Sequence, residues 1–520
     1  MKRNALFSFL LLPALLSGCG SPAAPASVPP PAALTPVHSP TASPVLPTSA
    51  PTAHPPLRTN GPYLVYLRQA ADGQELVIMD ADGQGQKSFT FPVNADAQSI
   101  LPSLTDSLSP DGKWLAYYTG TAGALLGHVG KDTADLALNL MDLTTGESKG
   151  ITPLLSADYP DNFAPAVRQL KQADVSVQGL EQAFIYGITH SLAWSPDGRT
   201  LAFAGQMDGL SSDLYTYDTA TGSIQRLSSG PEEVQWIDWS PDGSWILDAS
   251  AAWAGAGMSE NLYATSRDGK NTQRLTGNTG ITGKPVPWLA AHSFLDFQTT
   301  NGPGTHALRL VNAGSGDVAA VWDDPYEALA VDVERQWAAL YGEPAAGGLP
   351  GLRLIDLNNL QRVPVKTPDA SHLYGSQYDD IQDLGLSDEK LFVIRDETDS
   401  NLYYLSTTGS LTPLGIQAAS FSLSPDGKYL IALGENLQVY TTAGIPIREI
   451  RLPAGIAPVT PHELLWRPDS SGAFILHQDF QSGFGSVVMF EVASGLPEVV
   501  ESRFSNVRIN TPRWVTPGGH

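Results

Sequence analysis

The sequence of 520 residues predicts an all-β protein, a single β-propeller built from four-stranded antiparallel blades. The first observation behind this prediction is a repeated phrase, Ser-Pro-Asp-Gly, which begins at Ser109, Ser195, Ser240 and Ser424. The second is that short strand-like segments follow one another within each repeat. The third is the abundance of glycine, with 49 residues, and of proline, with 41, which suits a chain rich in turns.

Each copy of the phrase is predicted to be a tight turn between two β-strands. Proline fixes φ at the first central position, aspartate accepts hydrogen bonds from the nearby backbone, and glycine supplies the positive φ. Apolar and aromatic residues flank the phrase, as with Trp194 before one copy and Phe203 after it. We therefore expect these aspartates to be structural turn residues and not ligands.

The repeating unit is clearest over residues 192–227. Four short antiparallel strands in roughly forty residues are typical of one propeller blade. The sequence contains nine candidate units, and several of them lack the Pro-Asp-Gly turn. Because common rings contain about four to eight blades, we favour eight blades within a range of seven to nine. Two separate smaller propellers are the alternative.

The two ends of the repeat region are complementary. Residues 513–515 have the character of an innermost strand, whereas the first unit starts at Tyr63 without one. We expect the C-terminal strand to complete the N-terminal blade, which closes the ring and removes its open edges. The propeller should span residues 61–520. A small helical insertion over residues 155–190 is either a packed decoration or a lid or partner-docking element.

The N-terminus is predicted to be a targeting segment. Lys2 and Arg3 precede an apolar stretch over residues 5–16, which is too short to span a bilayer as a mature helix. The stretch ends in Leu-Ser-Gly-Cys at residues 16–19, which resembles the lipobox of bacterial lipoproteins. The resemblance implies that residues 1–18 are a lipoprotein signal peptide and that Cys19, the single cysteine, carries the lipid. The alternative is an ordinary signal peptide.

Residues 19–59 are rich in Pro, Ala, Ser and Thr, and they are predicted to form a disordered tether because they cannot bury a core. The expected location is therefore extracytoplasmic, as a lipoprotein anchored in the outer membrane or at the cell surface. The chain carries 53 acidic and 30 basic residues, a net charge of −23, and has no basic block. This charge argues against nucleic acid as a partner.

The repeats over about residues 61–520 resemble the WD40-like, or PD40, repeats of the TolB propeller, and also the propellers attached to prolyl-oligopeptidase-type peptidases. The resemblance implies the fold and leaves the activity open, because many unrelated activities share this fold. A peptidase is not expected, since no hydrolase domain follows the repeats. Gly146, Ser148 and Gly150 match the Gly-x-Ser-x-Gly pattern, but they fall on a turn between two strands, where a nucleophile elbow requires a helix.

Polar residues stand just before several predicted inner strands, where the chain crosses the mouth of the central channel. The candidates for binding at this mouth are Asp106, His190, Glu233, Asp380, His462 and Glu463. An acidic ring with histidines could bind a cation or the cationic end of a peptide, and solvated loop residues are the alternative. No metal-binding spacing such as His-Glu-x-x-His occurs, so neither a metal nor another cofactor is expected.

From these features we expect a non-catalytic binding or scaffold module that acts as a monomer. Its partner should be a protein or peptidoglycan-associated molecule, and the N-terminal lipid should hold it at the membrane. The chain is not expected to be an enzyme, because it shows no convincing catalytic motif. Two alternatives remain open: a metal-dependent lactonase or lyase at the channel mouth, and a sensory or assembly accessory like the TolB propeller.

Overall fold

Nine four-stranded antiparallel blades form a β-propeller in the computed structural model of the chain. Nine lies within the predicted range and is one more than the favoured number. The described residues are 55–58, 61–70, 73–90, 97–100, 103–121, 136–156, 185, 187–209, 211–254, 257–277, 287–299, 306–322, 328–342, 351–367, 374, 381–384, 390–434, 436–456, 463–478, 485–504 and 512–515. The predicted signal peptide, Cys19, Asp380 and His462 lie outside them.

The first four blades follow the chain, except that the last strand belongs to blade 1. Blade 1 contains β1 (Tyr63–Ala70), β2 (Gly73–Asp80), β3 (Gln86–Thr90) and β36 (Arg513–Val515). Blade 2 contains β4 (Ala97–Ile100), β5 (Trp114–Thr121), β6 (Ala137–Asp142) and β7 (Ser148–Pro153). Blade 3 contains β8 (Leu192–Trp194), β9 (Thr200–Gly205), β10 (Asp213–Asp218) and β11 (Ile224–Arg226). Blade 4 contains β12 (Glu233–Trp239), β13 (Trp245–Ala254), β14 (Gly257–Ser266) and β15 (Thr272–Gly277).

The remaining five blades are consecutive. Blade 5 contains β16 (Trp288–Ala290), β17 (Ser293–Thr299), β18 (His306–Asn312) and β19 (Val318–Trp322). Blade 6 contains β20 (Ala328–Asp332), β21 (Trp337–Gly342), β22 (Gly351–Asp356) and β23 (Gln361–Val363). Blade 7 contains β24 (Ile381–Asp383), β25 (Lys390–Arg395), β26 (Asn401–Ser406) and β27 (Leu411–Gln417). Blade 8 contains β28 (Ser420–Leu423), β29 (Tyr429–Leu433), β30 (Leu437–Thr441) and β31 (Pro446–Ile450). Blade 9 contains β32 (Leu464–Trp466), β33 (Gly472–Gln478), β34 (Gly485–Glu491) and β35 (Pro497–Phe504).

The C-terminal strand closes the ring, as predicted. β36 pairs antiparallel with β1, with Trp514 opposite Leu64 and Val515 opposite Tyr63. Val515 is buried, and it lies against Gly112 in the first turn of blade 2. The innermost position of blade 1 is therefore filled from the far end of the sequence.

Most of the hydrophobic core lies between neighbouring blades. Every residue of β9 is buried, because this second strand is covered by blades on both of its faces. The outermost strand β7 has no buried residue. A strand enclosed on both sides is expected to be a short continuous apolar run, and an edge strand is expected to be polar.

The Ser-Pro-Asp-Gly turns are held by one repeated set of hydrogen bonds. In blade 3, Ser195 Oγ donates to Asp197 Oδ1 over 2.6 Å and accepts from Thr200 N over 2.9 Å. Gly198 has a φ of +66°, and its N–H donates to the Ser195 carbonyl. The turns that begin at Ser109, Ser240 and Ser424 repeat the serine–aspartate bond. The aspartates are thus occupied within their turns, on what we call the turn face of the ring.

Tryptophans on the inner strands of blades 3, 4 and 9 join these blades to the blade before them. Trp194 Nε1 donates to the Ser107 carbonyl of blade 2 over 2.9 Å, and Trp239 Nε1 donates to the Ala193 carbonyl of blade 3 over 3.1 Å. Trp466 in blade 9 reaches Ser422 Oγ of blade 8 in the same way. These bonds satisfy the indole N–H within an apolar interface, which a buried tryptophan requires.

The turns between third and fourth strands also touch the preceding blade. A side chain at Gly83, where φ is +75°, would meet Val500 of blade 9 at 3.0 Å. One at Gly495, where φ is +67°, would meet Arg448 of blade 8 at 2.5 Å. Glycine is favoured at both positions because the backbone is left-handed and the neighbouring blade is close.

Helical structure is scarce in the described residues. The helix α1 (Leu104–Ser107) is capped by Ser103 and stands between β4 and β5 in blade 2. A short helical turn covers residues 187–190, at the end of the predicted insertion, and residues 157–184 lie outside the described part. Across the described ranges, no helix has the length and apolar character needed to cross a membrane.

Candidate functional site

The candidate site lies on the face opposite the Ser-Pro-Asp-Gly turns, which we call the variable face. Inner strands begin at this face, and the second and third strands of each blade are connected there. Loops on one face of a repeat protein often form its binding surface. The predicted channel-mouth residue Glu233 begins an inner strand in this way, whereas Asp106, contrary to its predicted place before an inner strand, follows the inner strand β4 on α1.

Asp106 lies on α1 beside the closing strand. Ser103 Oγ donates to Asp106 Oδ2 over 2.6 Å, and Arg513 Nη1 donates to the Thr105 carbonyl over 2.6 Å. Although the Asp106 side chain reaches solvent, the protein packed around it raises its pKa by desolvation, and Ser103 and Arg513 oppose this rise. Asp106 therefore interacts with the seam between blades 1 and 2.

Glu233 begins β12 and is only 8% exposed. Its Oε2 accepts the backbone N–H of Ser212 over 2.6 Å. Burial raises the pKa of Glu233 to about 7, and Asp213 adds to the rise, while hydrogen bonds from Ser212 oppose it. Glu233 is consequently a carboxyl group that can be protonated or ionised near neutral pH.

Two further buried carboxyls stand near Glu233. Asp213 begins β10, is 1% exposed and forms a salt bridge with Arg226 over 2.5 Å. Asp248 lies within β13, is 2% exposed and accepts a hydrogen bond from Ser250 Oγ over 2.7 Å. Burial raises the pKa of Asp248 to about 7, with the charges of Glu232 and Asp213 contributing and the hydrogen bond from Ser250 opposing the rise.

Glu232 connects these buried groups with more accessible ones. Its Oε1 accepts from Asn261 Nδ2 over 2.9 Å, and Arg274 Nη2 donates to Asn261 Oδ1 over 2.5 Å. Burial raises the pKa of Tyr263 to about 12, with Glu232 contributing by hydrogen bond and by charge. Desolvation also raises the pKa of Glu260.

We call Asp213, Glu232, Glu233 and Asp248 the acidic cluster. Asp213 belongs to blade 3, whereas the other three belong to blade 4 or to the segment that leads into it, so the cluster lies where these two blades meet. The pKa values of Glu233 and Asp248 both respond to Asp213, so the charge of Asp213 acts on both groups. Within the cluster, two carboxyls with pKa values near neutrality can hold and release protons.

The cluster was only partly visible in the sequence, where Glu233 was singled out and Asp213 and Asp248 were missed. The signal for Asp248 was its charge inside the apolar run from Ile246 to Ala249. Asp213 gave a similar signal at the start of a buried strand. A carboxyl group placed where strand burial calls for an apolar side chain indicates a functional or a paired group.

Three other predicted site residues lie within the described part of the chain, namely Asp106, His190 and Glu463. His190 Nδ1 lies 3.1 Å from Thr189 Oγ1 at the end of the helical turn. Glu463 is half-buried and directly precedes β32 in blade 9. Asp106 and Glu233 respond to different partners. Among the described residues, no three His, Cys, Asp or Glu side chains are arranged to hold a metal ion.

The fold and the cluster together define a nine-bladed propeller with an acidic inter-blade site. No protein-family profile matches the chain. The uncharacterized peptidase YuxL of Bacillus subtilis is 46% identical over 54 residues, which are 10% of this chain and 8% of that protein. An uncharacterized protein of Agrobacterium fabrum is 32% identical over 83 residues, 16% of this chain and 27% of that protein. The chain thus spans less than a third of either relative.

Solved structures share the propeller architecture at low identity. TolB from Acinetobacter baumannii is 15% identical, with 75% of this chain and 80% of that chain covered and a TM-score of 0.27. Dipeptidyl peptidase 4 from Porphyromonas gingivalis is 11% identical, with 79% and 61% covered and a TM-score of 0.44. The Dos1 propeller is 13% identical, with 62% and 85% covered and a TM-score of 0.38. These likenesses show the fold alone.

The matches correct the expectation of a non-catalytic binding or scaffold module and of a chain that is not an enzyme. One curated relative, YuxL, is a peptidase by name. A peptidase was set aside because no hydrolase domain followed the repeats in the sequence. That reason was unsound, because the end of a sequence does not tell which catalytic unit a propeller serves.

Proposed function

We propose that this chain is a peptidase-related propeller whose acidic cluster receives a positively charged group of a peptide substrate, in the first place its amino terminus. The observation that carries the proposal is the concentration of four carboxyls, Asp213, Glu232, Glu233 and Asp248, at one inter-blade position. The local similarity to a named peptidase supports peptide as the substrate class.

The cluster carries more negative than positive groups. Arg226 is engaged with Asp213, and Arg274 donates to Asn261 Oδ1. Glu232 and Glu233 therefore have no strong cationic partner of their own among the described residues. An ammonium group supplies the opposite charge that stabilises their ionised forms.

Binding of an ammonium group should be coupled to proton release. Glu233 and Asp248 are partly protonated near pH 7, because burial raises both pKa values to about 7. An approaching positive charge lowers these pKa values, so that protons leave as the ligand binds. The half-buried Glu232 and the exposed Asp208 lie on the solvent side of the buried carboxyls and give the ligand its first contact.

A pair of otherwise identical peptides tests the proposal. Calorimetry with the full chain measures the affinity for hexaalanine amide with a free amino terminus and for its N-acetylated form. We expect the free amine to bind at least about tenfold more tightly, equivalent to about 1.4 kcal/mol. Glu233→Gln should abolish this preference, whereas Glu449→Gln, on the outer strand of blade 8, should retain it. Equal affinity for the two peptides would overturn the proposal.

Two additional measurements extend this experiment. Calorimetry in buffers of different ionisation enthalpy reports the protons released on binding, and Asp248→Asn should reduce that number. Mass spectrometry of the peptide after incubation shows whether the chain itself cleaves it. Binding and cleavage are thus measured separately. A chain that binds the peptide without cleaving it can be told apart from a chain that does neither.

We also propose that the chain is lipidated at Cys19 and held at an extracytoplasmic membrane surface. The support comes from the sequence alone, namely the apolar stretch over residues 5–16 and the lipobox-like segment that ends in Cys19. At least two acyl chains give stable anchoring, whereas one chain binds a membrane only marginally.

A further inference from the structure

The nine blades provide an internal comparison at one exposed position. Each turn between third and fourth strands contains a left-handed residue, and the residue after it points away from the ring core. In seven blades this next residue is polar, namely Gln84, Glu147, Ser223, Lys270, Asp317, Gln361 and Ser410. In blades 8 and 9 it is Ile445, which is 62% exposed, and Leu496, which is 75% exposed.

The two apolar residues belong to one local arrangement. Each is followed by a proline, Pro446 or Pro497, which stiffens the backbone at the start of the outer strand. Arg448 of blade 8 donates to the Ser494 carbonyl in the blade 9 turn, so the two turns are linked. Ile447 and Val499 on the same outer strands are also exposed. We call Ile445, Ile447, Leu496 and Val499 the apolar rim.

Folding does not explain the apolar rim. Large side chains that remain mostly in water contribute little to the stability of the folded chain, and the other seven blades use polar residues in the equivalent turns. Other exposed apolar side chains of the described residues, Ile224, Val318, Val321 and Val333, lie in blades 3, 5 and 6, but only in blades 8 and 9 is the residue after the left-handed one in this turn apolar. Exposed apolar groups in two adjoining turns indicate a contact with another apolar phase or molecule.

The rim stands on the same face as the entry of the chain into the ring. The Pro55 carbonyl accepts from Gln86 N over 3.1 Å, and Arg58 N lies 3.2 Å from both carboxylate oxygens of Asp80. A cavity of about 460 Å³ is lined by Arg58 and Asp80 of the first segment and by Arg467 and Asp469 of blade 9. The chain therefore enters on the turn face, at the seam between blades 9 and 1.

We propose that the apolar rim rests on the surface of a lipid bilayer. The inference depends on the anchoring proposed for Cys19, because 54 residues precede Pro55 and this entry point lies beside blade 9. The net charge of −23 gives no electrostatic attraction to an anionic membrane, so apolar side chains must provide the contact. With this contact, the turn face meets the membrane and the acidic cluster on the variable face points away from it.

Single cysteine labels test the contact in the lipidated full chain. Cys19 is the only native cysteine, and its thiol is consumed by the lipid, so a new cysteine is labelled alone. Ile445→Cys and Leu496→Cys carry an environment-sensitive dye, with Ser223→Cys, in the equivalent turn of blade 3, as the matched control. In phosphatidylcholine vesicles we expect a blue shift and quenching by spin-labelled lipid at 445 and 496 but not at 223. Equal spectra at the three positions would overturn the proposal.

Three further measurements distinguish a membrane contact of the apolar rim from the effect of the lipid at Cys19 and from self-association of the chain. If two thiols per chain react with the dye, Cys19 is not lipidated, and the proposed membrane anchoring is contradicted. For the unlipidated chain, Ile445→Ser combined with Leu496→Ser should lower partition into the vesicles about tenfold, and unchanged partition contradicts the rim itself. A blue shift that depends on protein concentration without vesicles assigns the rim to a second copy of the chain and overturns the bilayer contact.

Discussion

Asp248 is the one charged residue of the strand β13 and stands between Leu247 and Ala249. Burial raises its pKa to about 7, with contributions from the charges of Glu232 and Asp213 and opposition from Ser250. An unfolded chain releases this proton at about pH 4. Between these values the folded state binds more protons than the unfolded state, so the stability that this group contributes falls as the pH rises from about 4 to about 7.

The substitution Asp248→Asn removes this titration and retains an oxygen that can accept from Ser250. The compared quantity is the free energy of unfolding of the variant minus that of the wild type. We expect this difference to be larger at pH 8 than at pH 5 by on the order of 2 kcal/mol. Urea unfolding followed by circular dichroism at the two pH values measures the difference. Asp317→Asn, in an exposed turn, is the control. A difference from the wild type that is the same at both pH values contradicts the buried, protonated state.

Residues differ in how far their roles can be read from the sequence. The bonds from Ser195 to Asp197 and Thr200 span at most five residues, so local turn chemistry predicts them. The acidic cluster joins positions from β10 to β13, and only the packing of blade 3 on blade 4 brings them together. Glu233 could be named in advance, but its pKa depends on the burial and on Asp213, which no spacing reveals.

Strands of blades 5, 6 and 7 explain why the blade number was harder to predict than the fold. These blades lack Ser-Pro-Asp-Gly, and other contacts perform the same task. In blade 6, Gln336 adopts a φ of 62°, and Asp332 Oδ1 accepts from Arg335 N over 2.9 Å. The turn forms without the phrase that identified it elsewhere. Nine units were visible in the sequence, and the usual size of such rings favoured eight.

The closing strand β36 was predicted correctly, because a missing inner strand at one end matched an extra strand at the other. Its removal, by ending the chain after Thr511, should destabilise the ring. Burial of Val515 alone contributes about 1.5–3 kcal/mol, and the pairing with β1 and the bond from Arg513 to Thr105 are lost as well. Calorimetry should show a lower melting temperature and a broader transition.

A matched truncation completes this experiment. A chain that ends at Val515 keeps β36 but lacks residues 516–520, which the chain ending at Thr511 also lacks. It therefore shows what the loss of those five residues does by itself. Its melting temperature should equal that of the full chain. If the chain ending at Thr511 also melts like the full chain, the pairing of β36 with β1 does not stabilise the ring.

At the scale of the whole molecule, lipidation decides where the propeller works. We expect Cys19→Ala to lose the mass of the attached lipid and to leave the membrane fraction when the chain is expressed in a bacterium. Mass spectrometry and fractionation measure the two effects. Ser21→Ala is the control and should remain lipidated. Retention of the lipid mass in Cys19→Ala would contradict attachment at this residue.

Gly83 against Val500 and Gly495 against Arg448 show the same contact at two places in the ring. Each blade carries both halves of it, the turn and the outer strand that the next turn meets. A unit of this kind can be duplicated within a gene without a new surface having to evolve, because a copy fits its neighbours as the original did. Gain or loss of one repeat thus changes the diameter of the ring, and with it the width of the central channel, in whole-blade steps.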